Sequence, residues 1–153
     1  MIYSLDTNFF IGAWRRTYPR DVFPTFWEKF EALLPAGVVI VSEEVQIELG
    51  KKEDDLSAWL KARKNVLRAT DEEVQSKLRE LLARDSAIAQ ANATKHRADP
   101  FVIAVAMAVG GTVVTEELRG ERPGKRKIPD ACEAAKVPCI GPVEFLRACK
   151  IVV

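Results

Sequence analysis

The chain has 153 residues, enough for one domain with its own hydrophobic core. Hydrophobic residues make up 48% and charged residues 29%, and the formal net charge is +1. These values exclude a globally basic nucleic-acid binder but allow a local basic patch. No apolar run approaches membrane-spanning length and no signal-peptide pattern precedes the first strand. We therefore expect a cytoplasmic protein without membrane contact.

Four short apolar runs, three of them rich in valine or isoleucine, are typical of buried parallel strands. They span residues 2–5, 38–41, 112–115 and 137–140. Amphipathic helical patterns separate them. Strands that alternate with helices predict parallel βαβ units. The predicted fold is therefore α/β, one domain over residues 1–153 with a mostly parallel sheet sandwiched by helices.

Local signals predict where several helices begin. Capping boxes start at Thr25 and Thr70, each with a glutamate three residues later. Residues 54–63 carry apolar side chains at helical spacing. Gly141 followed by Pro142 predicts the start of the last helix, because proline suits the first helical turn.

Acidic residues stand at four predicted strand or helix ends: Asp6, Glu48, Asp99 and Glu117. In an open α/β sheet these ends gather along one edge, where ligands bind. Carboxylates crowded at such an edge repel one another unless a divalent cation lies between them. The pattern therefore predicts a site for a hard metal ion.

Some of these acids have a simpler explanation as helix caps. Asp6 and Asp99 each stand where an N-cap would stand, and proline follows Asp99 directly. Asp99 nevertheless shares a face with Val102, so we expect its carboxylate to project from the buried side of the helix. Asp130 forms a capping box with Glu133, and we interpret it as a cap.

The spacing leaves two of the four positions open. Glu43 and Glu44 are alternatives to Glu48 as the second acid of the site. Both fall in the first turn of a helix, where the macrodipole favours carboxylates. Glu117 and Glu116 are neighbours in an extended segment, so their side chains face opposite ways. Either one would serve as the fourth acid.

Basic and aromatic residues are predicted to flank the acidic edge. Trp14 and Tyr18 would stack on unpaired bases, whereas Trp27 and Trp59 are expected in the core. Cations beside the acids would hold the phosphate groups of a ligand, although a basic run is often only a solvated loop. The candidate cations are Arg15, Arg16, Arg119, Arg122, Lys125, Arg126 and Lys127.

Four segments together resemble the PIN-domain ribonucleases, a group that includes the VapC-like toxins of prokaryotic toxin–antitoxin pairs. They are residues 6–8 (DTN), 41–49 (VSEEVQIEL), 98–104 (ADPFVIA) and 113–117 (VVTEE). Two further segments, 23–27 (FPTFW) and 127–132 (KIPDAC), resemble a PIN subfamily known mainly as a domain of unknown function. The resemblance covers essentially the whole chain.

The resemblance assigns the catalytic, metal-binding acids to Asp6, Glu48, Asp99 and Glu117. It implies polar support from Asn8 and Thr115. PIN proteins often carry aspartate at the fourth position, two residues after the strand-end threonine, and this chain has Glu117 there. The longer side chain would reach a metal through water or in another register.

The implied function is a Mg²⁺- or Mn²⁺-dependent endoribonuclease that cleaves single-stranded or looped RNA with a metal-activated water. By resemblance it is a VapC-like toxin, neutralised by a small antitoxin and homodimeric. The main alternative is a non-catalytic PIN-like module that binds RNA or protein. An aspartyl-phosphate phosphohydrolase would need Asp-x-Asp after the first strand, and residues 6–8 read DTN. The sequence also lacks a P-loop and a GxGxxG motif.

Overall fold

The computed structural model describes residues 1–88, 98–120 and 127–153. Within these residues one sheet contains β1 (Tyr3–Leu5), β2 (Val39–Ser42), β3 (Leu67–Arg68), β4 (Thr112–Val114) and β5 (Cys139–Ile140). The strand order is β3-β2-β1-β4-β5, and every pairing is parallel. The chain thus builds one side of the sheet first and then crosses β1 to build the other.

Helices flank this sheet. Their bounds are α1 (Thr7–Gly12), α2 (Pro24–Leu33), α3 (Glu43–Gly50), α4 (Asp55–Lys61), α5 (Glu72–Arg84), α6 (Asp99–Val109), α7 (Ile128–Ala134) and α8 (Pro142–Ala148). A π-helical turn, Ala13–Thr17, extends α1, and a 3₁₀ turn, Lys64–Val66, precedes β3. Helix α6 packs against β1, β2 and β4, and α5 covers α6. No helix in the described part of the chain has the length and apolar character needed to cross a membrane.

The predicted α/β fold is confirmed, and all four predicted strands are present with ends shifted by one or two residues. The strand β3 was not predicted, because it has only two residues and lies at the edge of the sheet. At the centre, Ser4 on β1 pairs with Ile40 and Val113 on its two neighbours. The buried Ser4 hydroxyl donates to the Val102 carbonyl oxygen at 2.8 Å, which fixes α6 over β1.

Two predicted capping boxes are wrong in register. Helix α2 begins at Pro24 after Phe23, so Thr25 lies inside the first turn rather than at the cap. Helix α5 is capped by Asp71, whose carboxylate accepts the Val74 N–H at 3.0 Å, and not by Thr70. In α2, Pro24 suits the first helical position. In α5, the Asp71 carboxylate is the better N-cap. The predicted start of α8 at Gly141 and Pro142 is confirmed.

Two glycines make the turn from α6 into the centre of the sheet. Gly110 ends α6 with φ of +63°, a left-handed conformation that favours glycine. A Cβ on Gly111 would lie 2.6 Å from the Ile2 carbonyl oxygen. The lack of a side chain there allows the backbone before β4 to approach the start of β1 closely, so the two strands can pair from their first residues.

An aromatic cluster fills the core between α1, α2 and α4. Trp27 and Trp59 expose only 2% and 6% of their surface, which confirms their predicted place in the core. Trp14 and Tyr18 also pack against this cluster. Trp14 meets Trp27 edge to face, and Tyr18 stacks on Phe26 with ring centres 4.1 Å apart. Both side chains are only half-buried, and the stacking of RNA bases on them stays a prediction.

Candidate active site: four carboxylates at the switch point of the sheet

The strand order reverses between β1 and β4, and the candidate site lies at the carboxyl ends of these two strands. Asp6 follows β1, and Thr115 follows β4. The Asp6 backbone N–H donates to the Val114 carbonyl oxygen at 3.1 Å, which ties the two strand ends together. Ligands of open α/β sheets bind in the crevice at such a switch point.

Asp6 occupies the N-cap position of α1, but its carboxylate does not cap the helix. It is completely buried, and its Oδ2 accepts the Thr115 hydroxyl at 2.7 Å. Its Oδ1 has no hydrogen-bond partner among the described residues. A buried carboxylate oxygen without a partner is costly, so this geometry favours a ligand role over a cap.

Asp99 is not a helix cap either. The N-cap of α6 is Ala98, and Asp99 is the first residue of the helix with 3% of its surface exposed. The prediction that Asp99 projects from the buried side of α6 is confirmed. Its carboxylate therefore lies inside the protein, next to Asp6, instead of bonding to the backbone of its own helix.

Glu48 reaches the same region from the far end of α3. Its Oε2 accepts the Ala98 backbone N–H at 3.3 Å, at the start of α6 and one residue before Asp99. Glu43, by contrast, accepts the Thr70 backbone N–H at 2.9 Å, on the side of β3. The geometry thus places Glu48, rather than Glu43, beside Asp99.

Glu116 and Glu117 face opposite sides of the segment after β4. Glu117 Oε2 accepts the Ile128 backbone N–H at 2.9 Å, at the start of α7. Glu116 instead lies against α1, where the position of a Cβ on Gly12 would be 2.2 Å from its Oε1, and pairs with Arg16 at 2.8 Å. The small glycine and the arginine four residues later make room for Glu116 and neutralise it, which leaves Glu117 on the side of the acids.

Burial and mutual repulsion raise the pKa values of the two buried aspartates. The pKa of Asp6 rises from 3.8 to about 7, mainly because burial removes water, with further increases from Glu117 and Glu48. The hydrogen bond from the Thr115 hydroxyl and the backbone N–H of Thr7 oppose this rise. The pKa of Asp99 rises to about 9 through burial and the charges of Asp6, Glu117 and Glu48, against a smaller opposing effect of Lys127. The four carboxylates therefore share one electrostatic environment.

The residues fit a hard divalent cation. Carboxylate oxygens are the ligands that Mg²⁺ and Mn²⁺ prefer, and Oδ1 of Asp6 is a buried acceptor without a described partner. Bonds from Thr115, Ala98 and Ile128 to the carboxylates resemble the outer-shell contacts that orient metal ligands. Within the described residues, no three acidic, histidine or cysteine side chains already surround one cation position.

The two predicted supporting residues lie close to Asp6. Thr115 is buried, donates its hydroxyl to Asp6 and accepts the Glu117 backbone N–H at 3.0 Å. It therefore connects two of the acids through one hydroxyl group. Asn8 lies half-buried on the first turn of α1, two residues after Asp6.

The predicted cationic cluster is only partly described. Arg15 pairs with Asp54, Arg16 with Glu116, and Arg119 with Glu133. These exposed arginines are thus already engaged, and RNA phosphates would have to compete with their carboxylate partners. Lys127 stands at the N-cap of α7 and acts electrostatically on Asp99. The other candidates, Arg122, Lys125 and Arg126, lie outside the described residues.

Asp130 was predicted to be the cap of α7, but it is the third residue of that helix and bonds back to the N-cap residue, Lys127. Its Oδ2 accepts the backbone N–H groups of Lys127 at 3.0 Å and Gly120 at 2.8 Å. The hydrogen bond from Lys127 could be predicted from the three-residue spacing to Asp130, because a carboxylate at the third helical position commonly bonds back to the N-cap. The bond to Gly120 has no local sequence signal.

Comparisons with known proteins agree with this fold. FitAcB from Neisseria gonorrhoeae, a crystal structure, superposes with a TM-score of 0.52 and 20% identity, covering 94% of this chain and 99% of that chain. The architecture is a PIN-like fold. No curated protein matches the sequence. The family described as a domain of unknown function, DUF4411, matches residues 3–153. The chain therefore belongs to the DUF4411 family.

Proposed function

We propose that this protein is a metal-dependent endoribonuclease. One observation carries the proposal: Asp6, Glu48, Asp99 and Glu117 come from four separate elements, and their charges, together with burial, raise the pKa values of Asp6 and Asp99 at the switch point. Asp6 and Asp99 are buried, and neither carboxylate caps its helix. Such a set of carboxylates matches the electrostatic demand of a divalent cation.

In this proposal Asp6 and Asp99 bind Mg²⁺ or Mn²⁺, and Glu117 is a third ligand. Glu48 binds the cation directly or through a water molecule. A bound cation of this kind lowers the pKa of a coordinated water and stabilises charge on phosphoryl oxygens. Thr115 orients the Asp6 carboxylate, and the Ala98 amide orients Glu48. Asn8, half-buried and two residues after Asp6, would add polar support to the site.

The substrate class is single-stranded or looped RNA, held by cations at the rim of the acidic edge. Lys127 is the best placed of the described cations, because its charge already acts on Asp99. Arg15, Arg16 and Arg119 would contribute by exchanging their carboxylate partners for phosphates. Counterions released from the RNA would make binding dependent on salt.

The PIN-like fold and the sequence resemblance support a toxin of the VapC type, acting in the cytoplasm as a homodimer and neutralised by a small antitoxin. The alternative is a non-catalytic module that binds RNA or protein. That alternative predicts acids held by structural partners. The partnerless Oδ1 of Asp6 within the described residues favours the enzyme.

The direct experiment incubates the purified protein with a labelled single-stranded RNA, with Mg²⁺ or Mn²⁺ in one arm and EDTA in the other. We expect internal cleavage only in the arms that contain metal, because four carboxylates without a cation would repel the phosphate. A homopolymeric and a mixed-sequence RNA should both be tried, since sequence preference is open. Metal-dependent RNA binding without cleavage would favour the non-catalytic module.

A further inference from the structure

The segments 117–120 and 127–130 hold each other through two acidic side chains. Glu117 Oε2 accepts the Ile128 backbone N–H at 2.9 Å. In the opposite direction, Asp130 Oδ2 accepts the Gly120 backbone N–H at 2.8 Å and the Lys127 backbone N–H at 3.0 Å. Each segment thus supplies a carboxylate to the backbone of the other.

This reciprocal arrangement makes the position of Glu117 depend on Asp130. The Ile128 amide that holds Glu117 is the first N–H of α7, and its direction is set by the turn that begins α7. Asp130 fixes that turn through Lys127 and fixes the segment of Glu117 through Gly120. A carboxylate oxygen that bonds two backbone amides makes strong, charge-assisted hydrogen bonds.

We propose that Asp130 is a positioning residue that holds Glu117 in place at the acidic site. Asp130 itself does not touch the metal or the RNA in this proposal. It acts through the Ile128 amide, as outer-shell residues act on metal ligands, and loss of such residues typically weakens metal binding about 10–100-fold. The expected effect on metal binding rests on the proposed function. The expected effect on the hydrogen bond from Ile128 to Glu117 does not.

The test compares Asp130→Ala, Asp130→Asn and a matched control, Asp71→Ala. Asp71 is also a carboxylate that accepts a backbone N–H in the first turn of a helix, but it caps α5 and contacts Val74. Its loss therefore reproduces the stability effect of a missing helix-start acceptor without touching Glu117. The asparagine variant keeps an oxygen that accepts N–H groups, so it should largely retain the wild-type behaviour.

Two measurements are made on each variant: amide hydrogen exchange at Ile128 by NMR, without metal, and Mn²⁺ affinity by calorimetry. We expect Asp130→Ala to accelerate exchange at Ile128 and weaken Mn²⁺ binding at least about tenfold. Asp71→Ala should leave the exchange rate at Ile128 and the Mn²⁺ affinity unchanged. Asp130→Asn should keep both quantities close to their wild-type values.

The outcomes separate this inference from the proposed function. Unchanged Ile128 exchange in a folded Asp130→Ala variant would overturn the positioning role, and so would faster exchange with unaltered Mn²⁺ affinity. If Asp71→Ala accelerated Ile128 exchange and weakened Mn²⁺ binding as much as Asp130→Ala does, the effect would be one of general stability, and the positioning role would again be overturned. A wild-type protein that binds no Mn²⁺ would contradict the proposed function, while the exchange data would still decide whether Asp130 holds Glu117.

Discussion

Replacing Asp99 by asparagine is expected to abolish metal-dependent RNA cleavage, with a rate loss of at least about a hundredfold. Asp99 is almost fully buried beside Asp6, and its pKa is raised by all three of the other acids, so it lies inside the cluster. Asparagine has nearly the same shape but lacks the negative charge that would bind a cation. Cleavage rates should be measured at saturating RNA, with circular dichroism to show that the variant is folded.

The matched control for this variant is Glu116→Gln. Glu116 lies in the segment after β4, next to Glu117, but faces α1 and pairs with Arg16. Its loss should leave the cleavage rate close to that of the wild type, whereas Glu117→Gln should reduce it strongly. A folded Asp99→Asn variant that cleaves at the wild-type rate would remove Asp99 from the site. Equal losses at Glu116 and Glu117 would contradict the orientation of that segment.

Replacing Asp6 by asparagine is expected to stabilise the metal-free protein by several kcal/mol at pH 8 and by a smaller amount, about 1–2 kcal/mol, at pH 5. The folded-state pKa of Asp6 is about 7, above its ordinary value of 3.8. Between these values the native state binds more protons than the unfolded state, so its stability falls as the pH rises. Each pKa unit corresponds to about 1.4 kcal/mol. Asparagine cannot ionise, and its oxygen still accepts the Thr115 hydroxyl.

Urea denaturation in EDTA at pH 5 and pH 8 measures this effect. The wild type should lose stability over this range, and Asp99, with a pKa of about 9, should extend the loss to higher pH. The variant should show a flatter profile. A helix cap would behave differently, because its loss would lower stability by about 0.5–2 kcal/mol at pH 8. That result would show that Asp6 caps α1 instead of adding to the repulsion among the acids.

Apolar strands were predictable from sequence because a buried parallel strand requires a continuous apolar run. The runs at 2–5 and 112–115 correspond to β1 and β4, the two strands that bracket the site. The edge strand β3 has two residues, one of them Arg68, and carries no such run. Its pairing with β2 arises from the packing of the preceding 3₁₀ turn, which is a tertiary effect.

The acids were predictable as candidates, but their roles were not. Asp6 and Asp99 carry the same local signals as ordinary N-caps, and only burial and partners distinguish them. The partner of Asp6 is Thr115, 109 residues away in the chain. Asp54, the partner of Arg15, lies 39 residues away in the chain, and Glu133, the partner of Arg119, lies 14 residues away, so neither pair has a local sequence signal. Sequence therefore indicates which groups are chemically able to act, and the fold decides which of them meet.

The central claim is that the four carboxylates form a site for a divalent cation. The most direct test is the melting temperature of the wild type and of Asp6→Asn, measured with EDTA and with millimolar Mn²⁺. A cation that binds only the folded state adds about 2.7 kcal/mol at a concentration one hundred times its Kd, which corresponds to a rise of roughly 5–10 °C for a chain of this size. We predict such a rise for the wild type and a much smaller one for Asp6→Asn, which should melt at or above the metal-free wild type. A wild type insensitive to Mn²⁺, together with a destabilised Asp6→Asn, would contradict the metal site and the nuclease built on it.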